Sequence, residues 1–129
     1  MRKGFIVICI CLLLLTACTT NFETEEITMK ISPSQARVWM QQYPDTIVLD
    51  VRTPTEFAAG HINGAILLPL DRLEAKAAEM LPSKDALILI YCRSGVRSNT
   101  AAVQLTDMGY TRVYDFGGIL DWPYGKVYP

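Results

Sequence analysis

Residues 86–98 read ALILIYCRSGVRS. From Ala86 to Tyr91 no polar residue interrupts the run, which is long enough for a strand and too short for an ordinary helix. A strand with one wet face alternates apolar and polar residues, whereas an unbroken run belongs to a strand covered on both faces, as in a parallel sheet. Cys92, Arg93, Ser94, Gly95, Val96 and Arg97 follow, and from Ser98 to Met108 the pattern becomes helical. Ala101, Ala102, Leu105 and Met108 share one face there, and Gly109 ends it. Buried strand, short loop and helix in that order form part of a βαβ unit, and such sheets bind ligands beyond the carboxyl ends of their strands.

The rest of the chain after residue 28 repeats the alternation. Ser32-Pro33-Ser34-Gln35 has the form of a capping box with proline in the first helical turn. Ala36, Trp39, Met40 and Tyr43 then fall on one face. Residues 46–51 form a strand, interrupted by Asp50. Thr53-Pro54-Thr55-Glu56 repeats the cap-and-proline signal and opens a short helix that Gly60 stops. Residues 65–68 are a strand, Leu73, Ala77 and Met80 mark a helix, and residues 113–115 are a last short strand. The expected fold class is α/β, with a central, mostly parallel sheet of about five strands flanked by helices on both faces. Trp39, Trp122 and the tyrosines are expected in the core or at its rim.

The N-terminus reads differently. Met1-Arg2-Lys3 is basic, residues 5–15 are wholly apolar, and Leu15-Thr16-Ala17-Cys18 follows. The apolar run is shorter than the roughly 20 residues a spanning helix needs, and the whole has the form of an export signal. An uncleaved anchor and an ordinary secretory cut are the alternatives. Leu-Thr-Ala-Cys resembles the bacterial lipobox. That resemblance implies a signal peptide over 1–17, with Cys18 lipidated as the first mature residue. Residues 18–28, with Glu23, Glu25 and Glu26, read as a polar tether. The domain is expected over 29–129, held to a membrane by its lipid: in the periplasm, on the periplasmic face of the outer membrane, in a cell with two, and at the outer face of the cytoplasmic membrane in a cell with one.

Of four cysteines, Cys9 and Cys11 would leave with the signal and lipid would block Cys18, so Cys92 would remain as the one free thiol. It has no partner for a disulfide and no second cysteine for a zinc site, so it is either inert or kept for reactivity. Removing Arg2 and Lys3 turns 12 basic and 13 acidic residues into 10 and 13, a charge of about −3. There is no basic stripe, which argues against nucleic acid. No metal or cofactor is expected.

The loop itself carries the chemistry. A helix N-terminus offers unpaired N–H groups and the positive end of its dipole. Gly95 permits a tight bend that turns successive N–H groups inward as an anion nest. Arg97 adds a planar guanidinium fork. A cysteine at such a cradle has a lowered pKa. Cys92, Gly95, Arg97 and Ser98 resemble the Cys-x-x-Gly-x-Arg-Ser/Thr active loop of rhodanese-like sulfurtransferases. Asp50, Val51 and Arg52, then Glu56-Phe57 and residues 60–65 (GHINGA), resemble a second motif of that family. Gly117-Gly118-Ile119 with Trp122 resembles its ending. The resemblance runs from about Met29 to Trp122.

It implies covalent catalysis through a persulfide on Cys92. The substrates implied are a small anionic donor such as thiosulfate and a cyanide or thiol acceptor, the thiol small or carried by a protein. Arg93, Ser94, Gly95, Val96 and Arg97 would hold the donor. Phosphatases and arsenate reductases of related fold use Cys-x5-Arg; the Cys-x4-Arg loop here is narrower and favours one sulfur atom over tetrahedral phosphate. Asp50 and Arg52 are expected to shape the site as an ion pair. Glu56 is the capping-box residue and a candidate partner for Arg52. His61, the single histidine, is expected to be structural. A persulfide carrier that works with a protein partner, turning over no small donor, is the competing reading, and an inert interaction domain a further one. One copy with one tether suggests a monomer. Cys18→Ser is expected to leave an uncut precursor and stop incorporation of labelled palmitate; label retained by the variant would remove the lipoprotein reading.

Overall fold

A computed structural model describes residues 29–129. The signal over 1–17, the lipidated Cys18 and the tether to residue 28 lie outside the described residues. The elements run α1 (Pro33–Gln42), β1 (Ile47–Asp50), α2 (Pro54–Ala58), β2 (Ile66–Leu67), α3 (Leu70–Met80), β3 (Ile88–Cys92), α4 (Val96–Asp107), β4 (Val113–Gly118) and a 3-10 turn (Ile119–Asp121). The sheet has four strands in the order β2-β1-β3-β4, every pair parallel. The expectation of about five strands is corrected. Where a fifth would lie there is one parallel bridge, Lys30 to Asp115. Pro33 opens α1 directly after it, and a proline in a first turn ends an extended run.

Period-two alternation in β3 explains why the run had no polar break. Ile88, Ile90 and Cys92 face one core with Leu73, Ala77, Ala101, Ala102 and Leu105 from α3 and α4. Leu89 and Tyr91 face a second core with Ala36, Phe116, Ile119 and Trp122. Helices therefore cover both faces, as a parallel sheet requires.

The caps follow the sequence, with differences of detail. Thr53 and Glu56 form a full capping box on α2. Ser32 accepts from the Gln35 N–H at 3.1 Å and shares a hydrogen bond with Ser34 rather than with the Gln35 side chain. Tyr43 and Met80, expected inward, are exposed, because each lies at or just past the frayed end of its helix. Helix α4 begins at Val96, two residues before the expected start, with Gly95 as its N-cap at φ 105°. That left-handed conformation suits glycine. Arg97 and Ser98 are thereby in the first helical turn.

The chain leaves β1 for β2 on one side and reaches β3 on the other, so the strand order reverses between β1 and β3. The crevice beyond such a switch point is where open parallel sheets bind ligands. Val51 and Arg52 leave β1 there, and the loop after Cys92 leaves β3.

At the opposite end of the molecule the Tyr110 hydroxyl, fully buried, donates to the carbonyls closing α3, at 2.6 Å to Leu81 and 3.1 Å to Ala77. Tyr110→Phe would leave the Leu81 carbonyl without its donor in the core, while the Ala77 carbonyl keeps the Leu81 N–H, at a cost of about 1–2 kcal/mol. A lowered urea midpoint with unchanged slope is the expected result; an unchanged midpoint would contradict this account.

Candidate active site

Cys92 ends β3 with its side chain on the α4 side of the sheet. Its sulfur is enclosed by the loop that follows. The Gly95 N–H donates to Sγ at 3.0 Å, and Ser98 Oγ lies 3.5 Å away. Burial pushes the thiol pKa up, but the Ser98 hydroxyl and the N–H groups of Ser98, Gly95 and Ser94 favour the thiolate more strongly, and the net shift is downward. The residue is only 1% exposed. It lies at the floor of the cradle.

Two glycines make the enclosure possible. The end of β4 packs directly under the loop: a Cβ on Gly118 would overlap the Arg93 carbonyl and come within 2.6 Å of Ser94 Cα. The Leu120 N–H donates to that same carbonyl at 3.3 Å. β4 carries one extra residue here, since Ile90 pairs with Asp115 but Cys92 pairs with Gly118. Gly117, at φ 93°, absorbs this bulge, and its N–H donates to Asp115 Oδ1 at 2.9 Å. Ser98 Oγ is within hydrogen-bonding distance of the Gly95 and Gly117 carbonyls, at 3.1 and 3.3 Å.

The cationic residues divide into held and free. Arg97 was expected to turn its fork toward an anion; instead the fork grips Glu56, at 2.8 Å from Nη1 to Oε2 and 2.8 Å from Nη2 to Oε1. Glu56 Oε2 also accepts from the Thr53 N–H at 2.8 Å and the Thr53 hydroxyl at 3.0 Å. One carboxylate thus caps α2 and anchors the first turn of α4. Glu56 is therefore paired with Arg97 rather than with Arg52, because Arg52 is already taken. It makes a bidentate contact with Asp50, 2.7 Å at its shortest, and donates to the Gly60 carbonyl at 2.8 Å. Burial opposes its charge, and the bonds and charge of Asp50 more than offset this. Arg93 is exposed, as are Ser94 and Val96, the latter at 74%.

His61 stands apart from the sulfur. Its ring stacks on Phe57 at 3.7 Å, and Nδ1 faces the Phe57 carbonyl at 3.1 Å. Its backbone forms an antiparallel bridge with Val127. Among the described residues no three of His, Cys, Asp or Glu converge as a metal site would require.

Residues 32–123 match the family model of the rhodanese-like domain. The chain belongs to the rhodanese-like family. Thiosulfate sulfurtransferase PspE of Escherichia coli (strain K12) is 37% identical over 79 residues, covering 61% of this chain and 76% of that one. A sulfurtransferase of Allochromatium vinosum is 42% identical over 79 residues, 60% of this chain and 72% of that one. Among solved structures, a rhodanese with anions from E. coli superposes with a TM-score of 0.61 at 34% identity, covering 65% of this chain and 99% of that one. A rhodanese-like domain protein from Staphylococcus aureus gives 0.66 at 27%, over 78% and 97%. The rhodanese-like fold with a parallel sheet, read from the sequence, is therefore the fold of this chain.

Sequence reasoning left Ser98 and the Gly117-Gly118 pair out of the site. Ser98 was legible as the residue closing the Cys-x-x-Gly-x-Arg-Ser motif. The glycines were legible only as a motif, since nothing in the sequence says against which backbone they pack.

The Arg97 fork, together with Thr53, holds the Glu56 carboxyl at a pKa of about 2, against an ordinary 4.5. Between those values the unfolded chain binds the extra proton, so this contribution to stability is complete above about pH 4.5 and lost as the pH falls toward about 2. Glu56→Gln should cost about 1–2 kcal/mol near neutrality, modest because the pair is partly exposed. The gap between variant and parent should close from about pH 5 to about pH 2 in denaturation midpoints. A gap independent of pH would mean that the ion pair is not its source.

Proposed function

We propose that the protein is a sulfurtransferase that carries sulfane sulfur as a persulfide on Cys92. The observation that supports this most is a lone cysteine ending a parallel strand with its sulfur ringed by loop N–H groups. In the proposed cycle the Cys92 thiolate attacks the outer sulfur of thiosulfate or a similar donor. A sulfur–sulfur bond forms, and sulfite leaves with the electron pair of the bond that breaks. An acceptor thiolate or cyanide then attacks the outer sulfur, and Cys92 departs as thiolate. No redox partner and no second cysteine are needed. The loop N–H groups stabilise charge on either sulfur, and exposed Arg93 meets the anionic part of the donor. Arg97, clamped by Glu56, contributes a fixed positive charge and keeps the first turn of α4 in place. Asp50, Arg52 and His61 hold the surrounding backbone.

Val96 and Leu120, 74% and 59% exposed, lie in and beside the loop. Exposed apolar side chains there favour an acceptor thiol borne on a protein, as in the carrier reading. The relatives named as sulfurtransferases support sulfur transfer in general. Thiosulfate as donor rests on the likeness to the thiosulfate sulfurtransferase of E. coli and on the size of the ring. The lipid anchor on Cys18, placement at the periplasmic face of a bacterial membrane or, in a cell with one membrane, at its outer face, and a monomeric state belong to the same proposal and rest on the N-terminal sequence.

Incubated with thiosulfate, the protein should gain the mass of one sulfur atom and lose it on addition of cyanide or dithiothreitol. Cys92→Ser should abolish both the adduct and turnover. Turnover that survives in Cys92→Ser would overturn the mechanism. An adduct formed from a persulfidated protein donor but never from thiosulfate would select the carrier reading.

A further inference from the structure

A groove of about 530 Å³ runs between the first turns of α4 and the Lys30 side of β4. Its volume is typical of a small-molecule site. Cys92 does not line it, but the loop does, through Ser94 and Gly95. Asp115 also lines it and is only 3% exposed. Its Oδ1 accepts from the Gly117 N–H, while Oδ2 has no hydrogen-bond partner among the described residues. That oxygen keeps access to the groove, where it can accept from a donor on a bound molecule.

Lys30 is the obvious candidate and does not fill the role. It is the bridge partner of Asp115 on the parallel strand segment, so the two side chains leave the same face of the sheet. Yet they form no ion pair, and Lys30 is exposed. The Asn99 side chain, on the α4 wall, likewise has no partner among the described residues. The strand wall thus offers a negative group and an unpaired cation side by side, and a neutral amide stands across from them on the α4 wall.

We propose that this groove binds a small zwitterion of the α-amino-acid type. Its ammonium group meets Asp115 Oδ2, and its carboxylate meets Lys30 with the Asn99 amide. Such a ligand would rest against Gly95 and Gly117, whose carbonyls flank the Ser98 hydroxyl beside Cys92. The inference is independent of the sulfur-transfer reading, since no step of it uses the thiol.

The test is titration of the full chain, labelled with nitrogen-15, with L-serine. The cation-only probe is serinamide and the anion-only probe is acetate. Serine should shift the amides of Gly95, Asn99 and Gly117 saturably, with an affinity at least tenfold above that of either half-probe. Asp115→Asn keeps an oxygen for the Gly117 N–H and removes only the charge; it should weaken serine binding about tenfold or more. Lys30→Gln, at an exposed position, should weaken it by a similar factor, so the inference does not depend on Asp115→Asn remaining folded. Shifts that do not saturate, equal affinity for serinamide and serine, or unchanged binding in Lys30→Gln would each overturn the proposal.

Discussion

The contact on which the site depends is backbone against backbone. The Arg93 carbonyl occupies the space in which a side chain at position 118 would begin. Only glycine lets β4 end so close to the loop. The bulge at Gly117 brings that glycine opposite Cys92. With the loop held from beneath, its N–H groups keep their inward aim without reorganising, which gives a fixed-dipole site its strength. The Leu120 N–H and the Ser98 hydroxyl then tie the same few atoms together from two further directions.

Charge is arranged around this cradle by the same economy of partners. Two arginines that might have met an anion are each occupied by a carboxylate from a nearby strand or helix. Asp50 and Arg52 neutralise one another in the interior and close the Gly60 turn. A buried pair of this kind is a matter of shape more than of net stability, because desolvation offsets much of the attraction. Glu56 and Arg97, 41 residues apart in sequence, do similar work nearer the surface by joining the first turns of two helices. Of the two loop arginines, Arg93 alone is exposed and without an ion-pair partner among the described residues.

Much of this was readable in the sequence, and the parts that were not share a cause. Strand β3 announced itself through the run ending at Tyr91, because burial on both faces leaves a local mark. The α2 cap was legible because Thr53 and Glu56 are neighbours. The Arg97–Glu56 pair was not legible because nothing local marks which distant carboxylate a guanidinium will face. The fifth strand was overestimated for a related reason. The sequence marked four apolar runs, and the only further pairing beside β4 is the single bridge of Lys30, which the helix opened by Pro33 cuts short. The start of α4 shifted by two residues because the cap is a glycine in a left-handed conformation, and no Ser, Thr, Asp or Asn marks it.

The burial of Cys92 has a consequence for who can touch the sulfur, and when. Cys92 is 1% exposed, so under the proposed function the resting thiolate would be reached by a slender donor more readily than by bulky thiols and disulfides. Loading extends the side chain by one sulfur–sulfur bond, about 2 Å, which brings the transferable atom that much nearer the rim. In the proposed cycle the two half-reactions therefore face different steric limits at the same residue. A narrow opening guards the resting thiolate, while the cargo is presented where a larger acceptor can collect it.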